Sequence, residues 1–194
     1  MLLRCLLFIV TVSTVVNIMA LGSARSESSH DSLGTLAGIL EQHGHVLLVR
    51  HALAPGTGDP AGFLIDDCET QRNLSVQGRE QASNLGNQLR AEGVTTARVF
   101  SSQWCRCLET AELLGVGPVV PLSALNSFFQ EMQLREERTR ELLAFLRDLP
   151  DGPPVVMVTH QVNISALTGR FASSGSGVVA RIDPQEVHVV RTWP

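Results

Sequence analysis

Two short, unbroken apolar runs constrain this chain more than any other feature: Val-Leu-Leu-Val at residues 46–49 and Val-Val-Met-Val-Thr at Val155–Thr159. Runs of this length without polar alternation fit strands buried on both faces, as in a parallel sheet covered by helices. Helical spacings recur around them. Leu33, Leu36, Ala37 and Leu40 share one helical face, and Gly44 marks a stop. Ser75 reads as the N-cap of a helix with Leu85 and Leu89 on its apolar side and Gly93 at its end. Further along, the pattern predicts strands at residues 98–101 and 119–122 and helices at 103–114 and 136–149. Asn163 caps a short helix reaching Gly169, and residues 178–182 and 187–190 form a terminal hairpin. Strands alternating with helices predict an α/β fold, a three-layer sandwich with a mainly parallel central sheet and helices on both faces.

The N-terminus reads differently. Arg4 precedes an apolar run over residues 6–21, followed by Gly22-Ser23-Ala24. This pattern predicts a signal peptide at residues 1–24, with Ala24 or Ala20 as the last residue before cleavage. The competing reading is an uncleaved anchor, since the run approaches the ~20 residues that span a bilayer. Residues 25–32 form a polar linker, and residues 33–194 form the folded domain. The expected location is periplasmic or secreted, with membrane contact only if the leader is retained. Three cysteines follow the leader, Cys68, Cys105 and Cys107. In an oxidising compartment they predict one disulfide, from Cys68 to Cys105 or Cys107, and one remaining thiol. Cys105-Arg106-Cys107 lacks zinc-ligand spacing, and no metal or cofactor is expected.

Charge and basic-residue type narrow the chemistry. The formal net charge is −4, which argues against nucleic acid as a partner. Lys is absent, so there is no P-loop lysine and no Schiff base; every basic side chain is Arg, whose planar fork suits phosphate or carboxylate oxygens. Arg50-His51 stands where the first buried strand ends, and His160 where the second ends. Ligands of open α/β sheets bind beyond such ends, so two distant histidines can share one site. The Gly-, Pro- and Asp-rich stretch at residues 52–71 is a long loop of the kind that usually serves function.

Four segments in order resemble the histidine phosphatase superfamily, which includes the phosphoglycerate mutases. Leu48-Val49-Arg50-His51-Ala52 is similar to its Arg-His-Gly signature. Arg72-Asn73-Leu74-Ser75, with Gly78 and Gln81-Ala82, resembles its Arg-x-Leu-Thr segment. Ser101-Ser102 through Arg106 to Glu109-Thr110-Ala111 resembles its Ser-Ser-x-x-x-Arg-x-x-Glu-Thr-Ala segment, and Val158-Thr159-His160 resembles the strand bearing its second histidine. The resemblance implies that His51 is the phosphate-accepting nucleophile, that Arg50 and Arg106 hold phosphoryl oxygens, and that His160 completes the pocket. It implies a metal-independent phosphatase acting on a phosphate monoester or phosphoramidate, with a phosphorylated small molecule, an envelope saccharide or a phosphohistidine protein as substrate. Arg72 is expected to brace the loop rather than touch phosphate. Two positions depart from the family. Ala52 replaces the glycine, and Asn126 stands roughly where many members carry a glutamate acid. Glu131 is the tentative replacement acid, with Asp67 another. The alternative function is a phosphate-binding pseudoenzyme that lacks a general acid.

Overall fold

The computed structural model describes residues 34–194; the leader, the linker and Leu33 lie outside the described residues. The strands are β1 (His45–Arg50), β2 (Arg98–Ser101), β3 (Val119–Pro121), β4 (Val155–Thr159), β5 (Gly177–Ile182) and β6 (Val187–Trp193). The helices are α1 (Leu36–Leu40), α2 (Val76–Ala91), α3 (Cys105–Leu114), α4 (Arg135–Arg147) and α5 (Gln161–Thr168). The six strands form one sheet in the order β3-β2-β4-β1-β5-β6. The β3–β2, β2–β4 and β4–β1 pairs are parallel, and β5 and β6 add an antiparallel hairpin at one edge. The sandwich and its mainly parallel sheet are as expected.

The pleat explains why the apolar runs are unbroken. In β1, Leu47 and Val49 pack with Leu36, Leu89 and Leu114 of α1, α2 and α3. Val46 and Leu48 face the opposite layer, with Leu142 of α4 and Ile164 of α5. Successive side chains thus enter two separate cores, so neither face tolerates a polar residue. Among the described residues no helix is long and apolar enough to cross a membrane.

Boundaries differ from expectation where side chains serve the site or close an edge. Helix α3 starts at Cys105 rather than Gln103, because Gln103 is held by Asn126 and the helix end is capped from outside by Gln71 Oε1, 3.0 Å from Cys105 N. Asn163 is not an N-cap. His160 occupies that position, and Asn163 lies inside α5 with its amide donating to Asn126 O at 2.9 Å. The last strand runs on to Trp193, whose buried indole donates to Glu92 Oε1 at 2.7 Å, fastening the sheet edge to the end of α2. Cys68 is bonded to Cys105, and Cys107 is a free thiol in the core between α3 and the sheet.

Helices α2 and α3 approach each other at Gly86, where a Cβ would lie 2.2 Å from Leu114 O. Gly86→Ala should therefore destabilise the protein by about 1–3 kcal/mol in urea unfolding, the usual penalty for overpacking. Asn84→Ala, on the exposed side of the same helix, should stay within about 0.5 kcal/mol of wild type.

Candidate active site

Parallel pairing of β1 with β4 sets Arg50 opposite Thr159, so His51 and His160 are the next residues out on adjacent strands. The His51 amide continues the ladder, donating to Thr159 O at 2.9 Å. Ring centroids of the two histidines lie 5.4 Å apart, with the planes crossed at 69°. Ser102 follows β2 at the same level, its amide donating to Val158 O at 2.9 Å. Three strand ends thus deliver the catalytic candidates to one place.

Local bonding decides which atom of each ring is available. His51 Nδ1 lies 2.8 Å from Ala52 O. A carbonyl oxygen only accepts, so Nδ1 carries the proton and Nε2 keeps its lone pair. Burial, and then the charges of Arg106, Arg50 and Arg72, outweigh the Ala52 bond and lower the pKa of His51 to about 3. His160 is engaged at Nε2 by Ser102 Oγ at 2.9 Å and Cys107 Sγ at 3.4 Å. Burial, then His51 and the arginines, push its pKa well below the ordinary histidine value. Both rings are therefore neutral at physiological pH. Cys107 is also uncharged, because burial raises its thiol to about 12, which argues against a thiolate nucleophile.

Around the histidines lies a cavity of about 110 Å³ lined by Arg50, Arg72, Arg106 and Asp59. Arg50 Nη1 donates to Ala172 O at 3.1 Å. Arg72 braces the loop as expected, donating to Ala54 O and, at 2.7 Å, to Gly58 O, and it also lines the cavity. Arg106, in the first turn of α3, meets Asp59 in a two-pronged ion pair of 2.8 and 3.0 Å. Each of these two side chains is only 3% exposed. Asp59 also accepts from Arg72 N at 3.1 Å and Trp104 Nε1 at 3.0 Å. Burial alone would raise its pKa, but these donors and the charge of Arg106 hold it below the usual carboxylate value. Burial, and then Arg106, lower the pKa of Arg50 and of Arg72. Nε of Arg50 and Nε of Arg106 are buried without an acceptor among the described residues. Three guanidinium groups against one carboxylate leave two uncompensated positive charges, the complement of a phosphate dianion.

The cavity thus gathers four of the expected residues, His51, His160, Arg50 and Arg106. Glu131 is not among its lining residues; it is exposed and precedes a 3₁₀ turn at Met132–Leu134. Asp67 caps a solvated turn through Glu69 N at 3.0 Å. Asn126 is committed to structure, with Oδ1 accepting from Gln103 N at 2.9 Å and from Ser102 Oγ, and Nδ2 donating to Gln103 Oε1. Sequence reasoning passed over Asp59. The one local signal was a carboxylate set between Gly58 and Pro60 in the loop after His51.

Buried neutral histidines make stability depend on pH. As pH falls through 6.5 the unfolded chain takes up protons, whereas folded His51 does not until about pH 3. Stability is therefore full above about pH 6.5 and declines below it, by at most about 1.4 kcal/mol per pH unit for each such histidine. Urea unfolding between pH 6 and 4.5 should show this slope, and His51→Gln should remove a substantial part of it. Equal slopes for the two proteins would contradict a buried, neutral His51.

Residues 46–136 match the histidine phosphatase superfamily (branch 1). No curated protein matches the sequence. Among solved structures, the fold is similar to phosphoserine phosphatase from Entamoeba histolytica in complex with 3-phosphoglyceric acid, at 13% identity and a TM-score of 0.58 over 77% of this chain and 96% of that one. It is similar to the protein histidine phosphatase SixA complexed with tungstate, at 16% identity and a TM-score of 0.53 over 77% and 96%. It also resembles a mycobacterial glucosyl-3-phosphoglycerate phosphatase complexed with VO3, at 17% identity and a TM-score of 0.53 over 76% and 97%. At these identities the structural likeness concerns the fold, while the sequence match concerns residues 46–136. Over residues 46–136 the chain thus resembles branch 1 of the histidine phosphatase superfamily, and it is a hydrolase.

Proposed function

We propose that this hydrolase cleaves a phosphate monoester or phosphoramidate by transferring the phosphoryl group to Nε2 of His51. The observation that carries this reading is the lock on the nucleophile: Nδ1–H is held by Ala52 O, and Nε2 faces a site with two spare positive charges. In the first step Nε2 attacks phosphorus, and the bond to the leaving oxygen or nitrogen breaks. In the second, water attacks the phosphohistidine, the N–P bond breaks, and orthophosphate leaves while the ring recovers its lone pair. Phosphoryl transfer mainly requires positioning and neutralisation of the equatorial oxygens, which guanidinium groups provide. His160, fixed by Ser102, lines the same cavity.

The substrate we infer is a phosphorylated small molecule, an envelope saccharide or a phosphohistidine protein. SixA and the mycobacterial phosphatase hold tungstate and VO3, oxyanions of the kind this charge pattern suits. We place the activity in the periplasm or outside the cell. The leader pattern supports this, and so does the Cys68–Cys105 bond, since such bonds persist mainly in oxidising compartments.

Turnover of 4-nitrophenyl phosphate in the presence of chelator tests the scheme. Wild type should be active, and His51→Ala should lose at least about 10³-fold in kcat/KM with its fold intact. Glu131→Gln should leave hydrolysis of both nitrophenyl and alkyl phosphates within about twofold, because a true general acid is worth ~10²–10⁴-fold. An active His51→Ala protein would refute the nucleophile.

A further inference from the structure

The Asp59 carboxylate is unusual because it occupies both prongs of an arginine that the family pattern assigns to phosphate. It accepts four hydrogen bonds: two from Arg106, one from the Trp104 indole and one from the Arg72 amide. Three different segments therefore meet on one side chain: the loop after His51, the first turn of α3 and the start of the Arg72-Asn73-Leu74-Ser75 segment.

We propose that Asp59 is a positioning residue for the phosphate site, acting through Arg106 and joining closure of the 52–71 loop to assembly of the anion pocket. This inference rests on the phosphatase reading above. Arg106 is long and rotamer-rich, and it shares its cavity with two other cations. Apart from Asp59, its only acceptor among the described residues is Arg72 O at 3.2 Å. The two-pronged contact fixes the plane of the guanidinium, which one carbonyl cannot do. It also removes one of three mutually repelling charges while leaving the excess that matches a dianion.

Two other roles fit less well. A proton donor needs a proton, yet this carboxylate accepts from four donors and is held ionised by them. A resident competitor for phosphate would have to leave Arg106, abandoning the Trp104 and Arg72 bonds as well. Arg50, Arg72 and Arg106 all line the cavity with Asp59 in place, so phosphate can be met there without its departure.

Asp59→Asn is the direct test. The amide keeps the size but offers one acceptor and sets an NH2 against a guanidinium prong. Orthovanadate affinity and kcat/KM for nitrophenyl and alkyl phosphates are measured for wild type, Asp59→Asn, Arg106→Gln and the double variant, with thermal melts to check folding. Asp59→Asn should weaken vanadate binding and kcat/KM by about 10²-fold, equally for both leaving groups, as a misplaced positioning group does. It should add little loss when Arg106 is already Gln. Losses confined to alkyl phosphates would make Asp59 the proton donor, tighter vanadate binding would make it a competitor, and losses that multiply with those of Arg106→Gln would remove the coupling; each overturns the proposal. If Asp59→Asn does not fold, Trp104→Phe deletes one donor and keeps the ring. It should weaken vanadate binding severalfold, and unchanged binding would overturn the proposal. A wild type that neither turns over nor binds vanadate defeats the phosphatase reading and this inference together. An active wild type with an unaffected Asp59→Asn defeats this inference alone.

Discussion

Register between the two central strands governs everything at the cavity. Parallel pairing sets Arg50 against Thr159, and the His51 amide adds one more rung to Thr159 O. A slip of β1 by one residue would turn His51 away from His160 and drive Arg50 toward a core. The slip is opposed from both sides, because residues 46–49 and Val155–Thr159 feed alternate side chains into two dry layers. The two hydrophobic cores thus specify the spacing of the histidine pair.

A second constraint is electrostatic. Three guanidinium groups are drawn around two imidazoles, and burial with that positive field keeps both rings neutral. A neutral imidazole in a cationic surround suits the proposed attack on a phosphate dianion. The loop that completes the surround is held at several points. Gln81 accepts from Leu53 N at 2.9 Å and donates to Ser174 O at 2.8 Å. Gln71 donates to Leu64 O and Ile65 O while capping Cys105, and the Cys68–Cys105 bond ties the same stretch to α3. Thr110 accepts from Ala52 N at 3.0 Å, so the residue beside His51 is fastened to the helix that carries Arg106.

What could be read from the chain follows from these forces. The strands were legible because double-sided burial forbids polar interruption, and His51 and His160 because each closes such a run. The cysteine partner stayed open, since Cys105 and Cys107 point to different sides of a helix and only packing reveals that Cys107 enters the core. Asn163 resembles a cap in sequence, but the amide is recruited by Asn126 from a distant loop. Glu131 was chosen by proximity to an expected position, and the backbone there turns it to solvent. Asp59 was the hardest residue to see. It lies in a loop without periodicity, and its partner Arg106 is 47 residues away.

If Nε2 of His51 carries the phosphoryl group, nuclear magnetic resonance of the trapped intermediate locates the phosphorus there. Ring nitrogens labelled with ¹⁵N, in protein loaded with a phosphoryl donor and denatured in alkali, distinguish the two possible isomers. Phosphorus is expected on Nε2 of His51, because Nδ1 is committed to Ala52 O. Phosphorus on Nδ1 of that ring, or on His160, would contradict it.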